Sequence, residues 1–240
     1  SKINGNRGER VIKSKRYKNL IKDKKEISSK SIKELLPVIK KNCTAKFDES
    51  IDLSFQINNK QKKGEINIRT IVNMPSGTGK KIKVAVVCDE SKKTLAEKAG
   101  ADLVGGEDLI EKIKDGNFNF EKLICTPKMM IALSKLGKIL GPKGLMPNPK
   151  LGTVTEDIEL AVKNAKAGQV ELKNDKDGNI GLSLGKKSFT DDKILSNFNA
   201  VIDTLEKEKG NNSFKGEMIK TIFLTSTMGI SYKLKLDKHF

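Results

Sequence analysis

The spacing of apolar residues changes character twice along this chain. Residues 7–25 form a basic segment with weak helical periodicity at Val11, Ile12, Tyr17, Leu20 and Ile21. A stronger helix follows. Ile32, Leu35, Leu36 and Ile39 fall at i, i+3, i+4 and i+7, with Ser31 and Glu34 spaced as a capping box. Pro37 lies inside this pattern and is expected to kink or shorten the helix. The period then becomes two. Ile51, Leu53, Phe55 and Ile57 alternate with Asp52, Ser54, Gln56 and Asn58, which predicts a strand with one buried face. Ile66, Ile68, Thr70 and Val72 alternate likewise after a polar turn over residues 58–64.

Beyond Pro75-Ser-Gly-Thr-Gly79 the alternation stops. Val84-Ala-Val-Val-Cys88 is a continuous apolar run, as in a strand buried on both faces of a parallel sheet. Ser91 is placed to cap a helix reaching Ala99. Leu103-Val104 is a short strand, Glu107 to Lys114 a helix, and Leu123-Ile-Cys125 another strand. Thr126 and Pro127 suit the cap and first position of a helix bearing Met129, Met130, Leu133 and Leu136. A Gly/Pro-rich loop spans Gly137 to Gly152. Thr155 is placed to start the next helix, with Glu156 and Asp157 favourable for its dipole.

After Gly168 the period of two returns. Val170 and Leu172 are followed by an expected hairpin turn at Asp177-Gly178-Asn179 and a return strand with Ile180, Leu182 and Leu184. Thr190 precedes a long amphipathic helix with Ile194, Leu195, Phe198, Val201, Ile202 and Leu205. Strands over 217–226 and 231–236 close the chain. The two ends share one grammar and the middle has another. Residues 1–76 alone offer too few elements to close a core. They are therefore paired with residues 169–240 in a split two-layer antiparallel-sheet domain. Residues 77–168 become an inserted three-layer Rossmann-like βα-wound domain, so the class is α/β overall. Both junctions are Gly-rich, and Gly77, Gly79 and Gly168 are read as a hinge.

Charge narrows the function. The net charge is +17 over 240 residues, against magnitudes of about 2–8 in ordinary small domains. Such a surplus favours polyanions through counterion release. It is uneven: the excess is +11 over residues 1–76, +4 over 77–168 and +2 over 169–240. Only four of the basic residues are Arg (Arg7, Arg10, Arg16 and Arg69), so phosphate attraction is better supported than bidentate reading of base edges. No apolar run approaches the roughly 18 residues a spanning helix needs, no export signal is read at the N-terminus, and no membrane partner is expected. Cys43, Cys88 and Cys125 form no C-x-x-C pair, which fits a reducing compartment and no structural zinc. The only histidine is His239, which argues against a histidine base or a histidine metal site. No metal or cofactor is expected.

Several short motifs are open to two readings. Ser76-Gly-Thr-Gly-Lys80 resembles part of a phosphate loop. However, Met74 stands where the first Gly belongs, Lys81 where Ser or Thr belongs, and a strand follows instead of a helix. A hinge is the better reading, with a nucleotide-binding enzyme built on the inserted domain as the alternative. Gly141-Pro-Lys-Gly144 matches a backbone-clamping G-x-x-G, but a loop stiffened by Pro142, Pro147 and Pro149 explains it more simply. Phe47, beside Lys46, suits contact with a base or ribose as well as ordinary core. Thr225-Ser-Thr227 before Met228-Gly229 presents hydroxyls suited to RNA 2′-OH and phosphate groups, or a polar hairpin turn.

Taken together, Thr44-Ala-Lys-Phe-Asp-Glu49, Gly77-Thr-Gly-Lys80, Leu136-Gly-Lys-Ile-Leu-Gly-Pro-Lys-Gly-Leu-Met-Pro-Asn-Pro-Lys150, Gly152-Thr-Val-Thr155, Ala165-Lys-Ala-Gly168 and Ser226-Thr-Met-Gly229 occur in an order that resembles the bacterial-type ribosomal protein L-one family. The resemblance covers nearly the whole chain, and the long Gly/Pro segment is its most specific part. It implies a non-enzymatic, cytoplasmic protein of the large ribosomal subunit, with an organellar matrix as the other setting. The implied partners are large-subunit ribosomal RNA at the mobile stalk, deacylated tRNA leaving the exit site, and the protein's own mRNA, whose translation it would repress. Away from the ribosome a monomer is expected. The family's RNA-contacting patch falls here on Lys46, Phe47, Ser50, Thr221, Thr227, Met228 and Gly229. Gly181 stands where many relatives have His. Valine at Thr227 or Gly229 is expected to weaken specific RNA binding while the fold survives.

Overall fold

A computed structural model describes residues 14–24, 30–58, 67–116, 118–211 and 216–235. The readings placed on Arg7, Arg10, residues 59–66 and His239 lie outside these. Alternation along β1 (Ser50–Ile57) drives Ile51, Leu53, Phe55 and Ile57 into the interior. Two antiparallel neighbours flank it, and both come from the C-terminal end. These are β7 (Asn179–Lys186), with Leu53 opposite Leu182, and β8 (Ile219–Ser226), with Leu53 opposite Leu224. A short β9 (Tyr232–Lys233) completes a four-stranded sheet in the order β7-β1-β8-β9. The two chain ends therefore build one sheet.

The apolar face of this sheet is covered by α2 (Ile32–Asn42), through Leu35, Leu36 and Ile39, and by α8 (Asp191–Asn211), through Ile194, Val201 and Leu205. That makes the two expected layers. Helix α2 is not shortened at Pro37. The proline ring is on the exposed side, where water can take the place of the missing bond. Ser31 holds the N-cap position, but its hydroxyl makes no cap bond, so the capping box is not formed. The basic N-terminal stretch contributes α1 (Lys15–Lys24), with Leu20 buried.

Strand β2 (Arg69–Asn73) does not join β1. It pairs with β6 (Gln169–Lys173) in a separate two-stranded ribbon, with Val72 opposite Val170. This corrects the hairpin expected around Gly178. The turn itself forms, and the Asp175 carboxylate accepts the backbone N–H groups of Asp177 and Asn179 at 2.9 and 2.7 Å. The strands either side of it nevertheless belong to different sheets, because β1 claims β7 and β2 claims β6.

The middle of the chain forms a parallel sheet in the order β4-β3-β5, from β3 (Val84–Val87), β4 (Leu103–Gly105) and β5 (Lys122–Cys125). All four residues of β3 are buried, as the unbroken apolar run predicts. Val84 and Val86 pack with Ala96 of α3 (Glu90–Lys98) and Val162 of α7 (Ile158–Ala167). Ala85 and Val87 pack with Ile113 of α4 (Glu107–Lys114) and Leu133 of α5 (Pro127–Ser134). Helices thus lie on both faces, giving three layers. Boundaries moved slightly. Asp89, not Ser91, caps α3, and Asp157, not Thr155, caps α7, its carboxylate accepting the Leu160 N–H at 3.1 Å. The long loop is not wholly irregular, because it contains a four-residue helix α6 (Gly137–Leu140) and a 3-10 turn at Pro149–Leu151. Cys43, Cys88 and Cys125 are free and buried, and burial pushes the Cys125 thiol up to about 12.

Leu53 sits at the centre of the antiparallel body and touches both distant neighbours. Leu53→Ala is expected to lower stability by about 2–5 kcal/mol in chemical denaturation. Amide exchange should speed up in β7 and β8 as much as in β1, since the three strands share one ladder.

Candidate nucleic-acid interface

The predicted residues meet at one corner of the antiparallel sheet. Two loops form it: residues 43–49, leading from α2 into β1, and residues 226–229, a tight turn leaving β8. Within the turn, Gly229 N–H donates to the Ser226 carbonyl at 3.1 Å. The loops are joined by a carboxylate that is not among the predicted contact residues. Glu49 is fully buried. One of its oxygens accepts the Ala45 N–H at 2.9 Å and the other the Met228 N–H at 3.1 Å. The Ser226 hydroxyl also bonds to it. Burial by itself raises the Glu49 pKa and is the largest single effect. The two N–H donors, the Ser226 hydroxyl and the nearby Arg16 charge together outweigh it and hold the group below the ordinary carboxylate value.

Around this staple the backbone is doubly tied. Ser50 N–H donates to Thr227 Oγ1 at 2.9 Å, and Thr227 N–H donates back to the Ser50 carbonyl at 3.1 Å. Lys186 Nζ donates to Ser50 Oγ at 2.7 Å. From α1, Arg16 reaches Thr44 Oγ1 at 2.8 Å and the Met228 carbonyl at 2.5 Å. The result is a braced corner with two large apolar side chains pointing outward: Phe47 is 53% exposed and Met228 47%. Lys46 is exposed beside Phe47. An aromatic ring and a thioether held in solvent next to a lysine and an arginine can stack on a base or ribose while the cations meet phosphate.

Six of the seven predicted residues thus gather here. Thr221 does not. It faces Gln56 at the other end of β8, six residues from Thr227, or roughly 20 Å along the strand. It does share the outward row of β8 with Thr225 and Thr227, since Ile222, Leu224 and Ser226 alternate inward. Valine at Thr227 or Gly229, expected to weaken RNA binding while the fold survives, would also act on the corner itself. A Cβ on Gly229 would lie 2.2 Å from Ser226 Oγ, and Thr227 Oγ1 is the acceptor for Ser50. Either change strikes the staple before it reaches any ligand.

The crossings between the two bodies are equally close. Gly77 and Gly168 have φ of 69° and 105°, and a Cβ on Gly168 would meet Gly77 Cα at 2.7 Å. Gly79, with φ of 73°, lies against Lys186 and the Phe189 ring. Asn197, fully buried on α8, fastens the first crossing. Its side-chain oxygen accepts the Ser76 N–H at 3.0 Å, and its amide donates to the carbonyls of Gly77 and Leu184 at 2.8 and 2.7 Å. No helix follows Lys80, which instead pairs with Glu121 at 2.8 Å, so the segment lacks the architecture of a phosphate loop. In the Gly141–Gly144 turn, Lys143 Nζ lies 3.5 Å from the centre of the Phe118 ring. No cluster of potential metal ligands occurs among the described residues.

Fold and corner together define a class: a basic α/β protein in which a parallel-sheet body interrupts an antiparallel one, with an apolar tip braced between two distant loops. The model of the ribosomal protein L1p/L10e family matches residues 39–230. The chain belongs to that family. It is 67% identical to the large ribosomal subunit protein uL1 of Pelagibacter ubique (strain HTCC1062), over 94% of this chain and 98% of the relative. It is 46% identical to the uL1 of Orientia tsutsugamushi (strain Ikeda), over 86% and 82%, and 41% identical to that of Rickettsia africae (strain ESF-5), over 96% and 98%.

Because Glu49 carries a lowered pKa, its contribution to stability is complete above its ordinary value of 4.5 and is lost as pH falls through the folded value. In acid titration below pH 4.5, quenching of Phe47-adjacent fluorescence labels should report loosening of the corner ahead of global unfolding. Glu49→Gln should remove that acid-dependent step and leave the corner loosened at neutral pH.

Proposed function

We propose that this chain is a non-enzymatic constituent of the large ribosomal subunit that holds large-subunit ribosomal RNA by ribose and backbone. Residues 1–76 and 169–240 form the RNA-binding domain. Residues 77–168 form the inserted domain, which swings on Gly77, Gly79 and Gly168. The observation that carries this reading is the braced corner. Phe47 and Met228 project into solvent beside Lys46 and Arg16, and the segment that supplies Phe47, Lys46 and Arg16, residues 1–76, carries most of the positive excess. The names of the relatives supply the ribosomal setting.

Recognition is divided by residue. Lys46, with the cations around it, attracts phosphate without regard to sequence. Phe47 and Met228 supply stacking area. Ser50 and Thr227 shape the backbone that presents them, and Thr221 offers a hydroxyl further along the same sheet face. The protein's own mRNA would use the same corner as ribosomal RNA, which is how repression of its translation would arise. Swinging of the inserted domain would accompany departure of deacylated tRNA from the exit site.

A competition assay between a ribosomal stalk RNA fragment and random RNA of equal length tests this. The stalk fragment should win at constant salt. Phe47→Ala should weaken it by about tenfold, as loss of one aromatic stack does, with the fold unchanged by circular dichroism. Equal binding of both RNAs, abolished in moderate salt, would reduce the protein to general polyanion adhesion.

A further inference from the structure

The β2–β6 ribbon has two faces that serve different bodies. Val72 and Leu172 point into the antiparallel core. Ile71, Gln169 and Glu171 are on the opposite face, against Lys122, Leu145 and Leu151 of the parallel body. The ribbon also has a free edge. The Met74 N–H donates to the Gly168 carbonyl at 3.2 Å, so the ladder bonds fall on alternate pairs and the Asn73–Gln169 pair is not bonded across the ribbon. The Gln169 carbonyl therefore points away from β2. It accepts the Lys122 ammonium at 2.8 Å, and the Gln169 side-chain oxygen lies at 3.5 Å from the same nitrogen.

Lys122 stands at the start of β5, half-buried between the bodies. Burial lowers its pKa, and the Glu171 carboxylate opposes that only in part. Glu171 is already engaged by Arg69 at 2.7 Å. The apolar contacts beside the ammonium are incomplete, leaving a cavity of about 60 Å³ lined in part by Ile71, Leu145, Met146 and Leu151. Beside this cavity the bond from Lys122 to Gln169 is a direct polar contact between the bodies. An ammonium withdrawn from water without a dedicated carboxylate partner is only marginally favoured there, since rehydration on separation returns much of what the bond supplies. A contact of that kind holds, yet releases readily.

We infer that Lys122 is a latch, holding the parallel body closed against the ribbon by capping the free edge at Gln169. This rests on the reading of two domains joined at Gly77 and Gly168. The bond secures the moving side of that junction, as Asn197 secures the fixed side.

Single-molecule energy transfer between dyes at Lys112→Cys on α4 and Glu206→Cys on α8 tests it. Both positions are exposed, and the native cysteines are buried. Lys122→Met keeps the aliphatic stem and removes the charged donor. It should raise the open-to-closed ratio about threefold, because the bond is marginal and its loss leaves the Gln169 carbonyl without its donor. Lys122→Arg should restore the closed population, with circular dichroism confirming the fold in each case. Two distances in the wild type with an unchanged or lowered ratio in Lys122→Met would overturn the latch and leave the two domains standing. One invariant distance in all three proteins would overturn both.

Discussion

The antiparallel body depends on β1 finding both of its neighbours beyond the inserted segment. Pairing over such a separation carries a loop-closure cost, but that cost grows only with the logarithm of loop length. The inserted body reduces it further. Once its own parallel sheet has formed, its two ends lie in contact at Gly77 and Gly168, so the chain re-enters where it left. Folding of the middle thus delivers β7 and β8 to β1, and β6 to β2. A close Gly–Gly approach is what allows one body to be interrupted by another without splaying apart.

The corner applies the same logic on a smaller scale. Two loops from opposite ends of the chain are joined through one buried carboxylate, and the outward side chains derive their order from it. Phe47 and Met228 have little packing of their own. Their positions are set by the bonds of Glu49 to Ala45 and Met228 and by the exchange between Ser50 and Thr227. Residues offered to a ligand and residues that hold them in place are therefore different sets, interleaved along the same few positions.

Much of this was legible in the sequence. The switch from period two to continuous apolar runs and back marked the two sheets, and Val84–Val87 was recognisable as doubly buried. The order of strands was not legible, because alternation says which face is buried but not which neighbour is chosen. β6 and β7 looked like a hairpin because a tight turn at Asp177-Gly178-Asn179 joins them, and that turn forms without pairing the strands. The corner residues, Ser50 and Thr227 among them, came from a family resemblance, while Glu49 and Arg16, which also brace the corner, were assigned no role. Yet Glu49 and Ser226 continue the inward rows of β1 and β8, in the same parity as Ile51 and Leu224. An acid and a hydroxyl on buried rows of neighbouring strands signal a buried polar network, and that signal was present. Asn197 carried the same sign on the apolar stripe of α8. Two helix starts were misplaced by two residues, the second because the Asp157 carboxylate, and not the Thr155 hydroxyl, accepts the Leu160 N–H.

The ribbon at the junction limits what kinds of displacement the molecule can undergo. Its alternation assigns Val72 and Leu172 to one body and Ile71 and Glu171 to the other. A slip of one residue would exchange these assignments and turn a glutamate into the hydrophobic interior. The register of β2 on β6 is therefore fixed by both neighbours at once, since a one-residue slip would spoil the packing on each face. A strand pair sandwiched in this way is a two-sided gasket whose alignment is specified twice over.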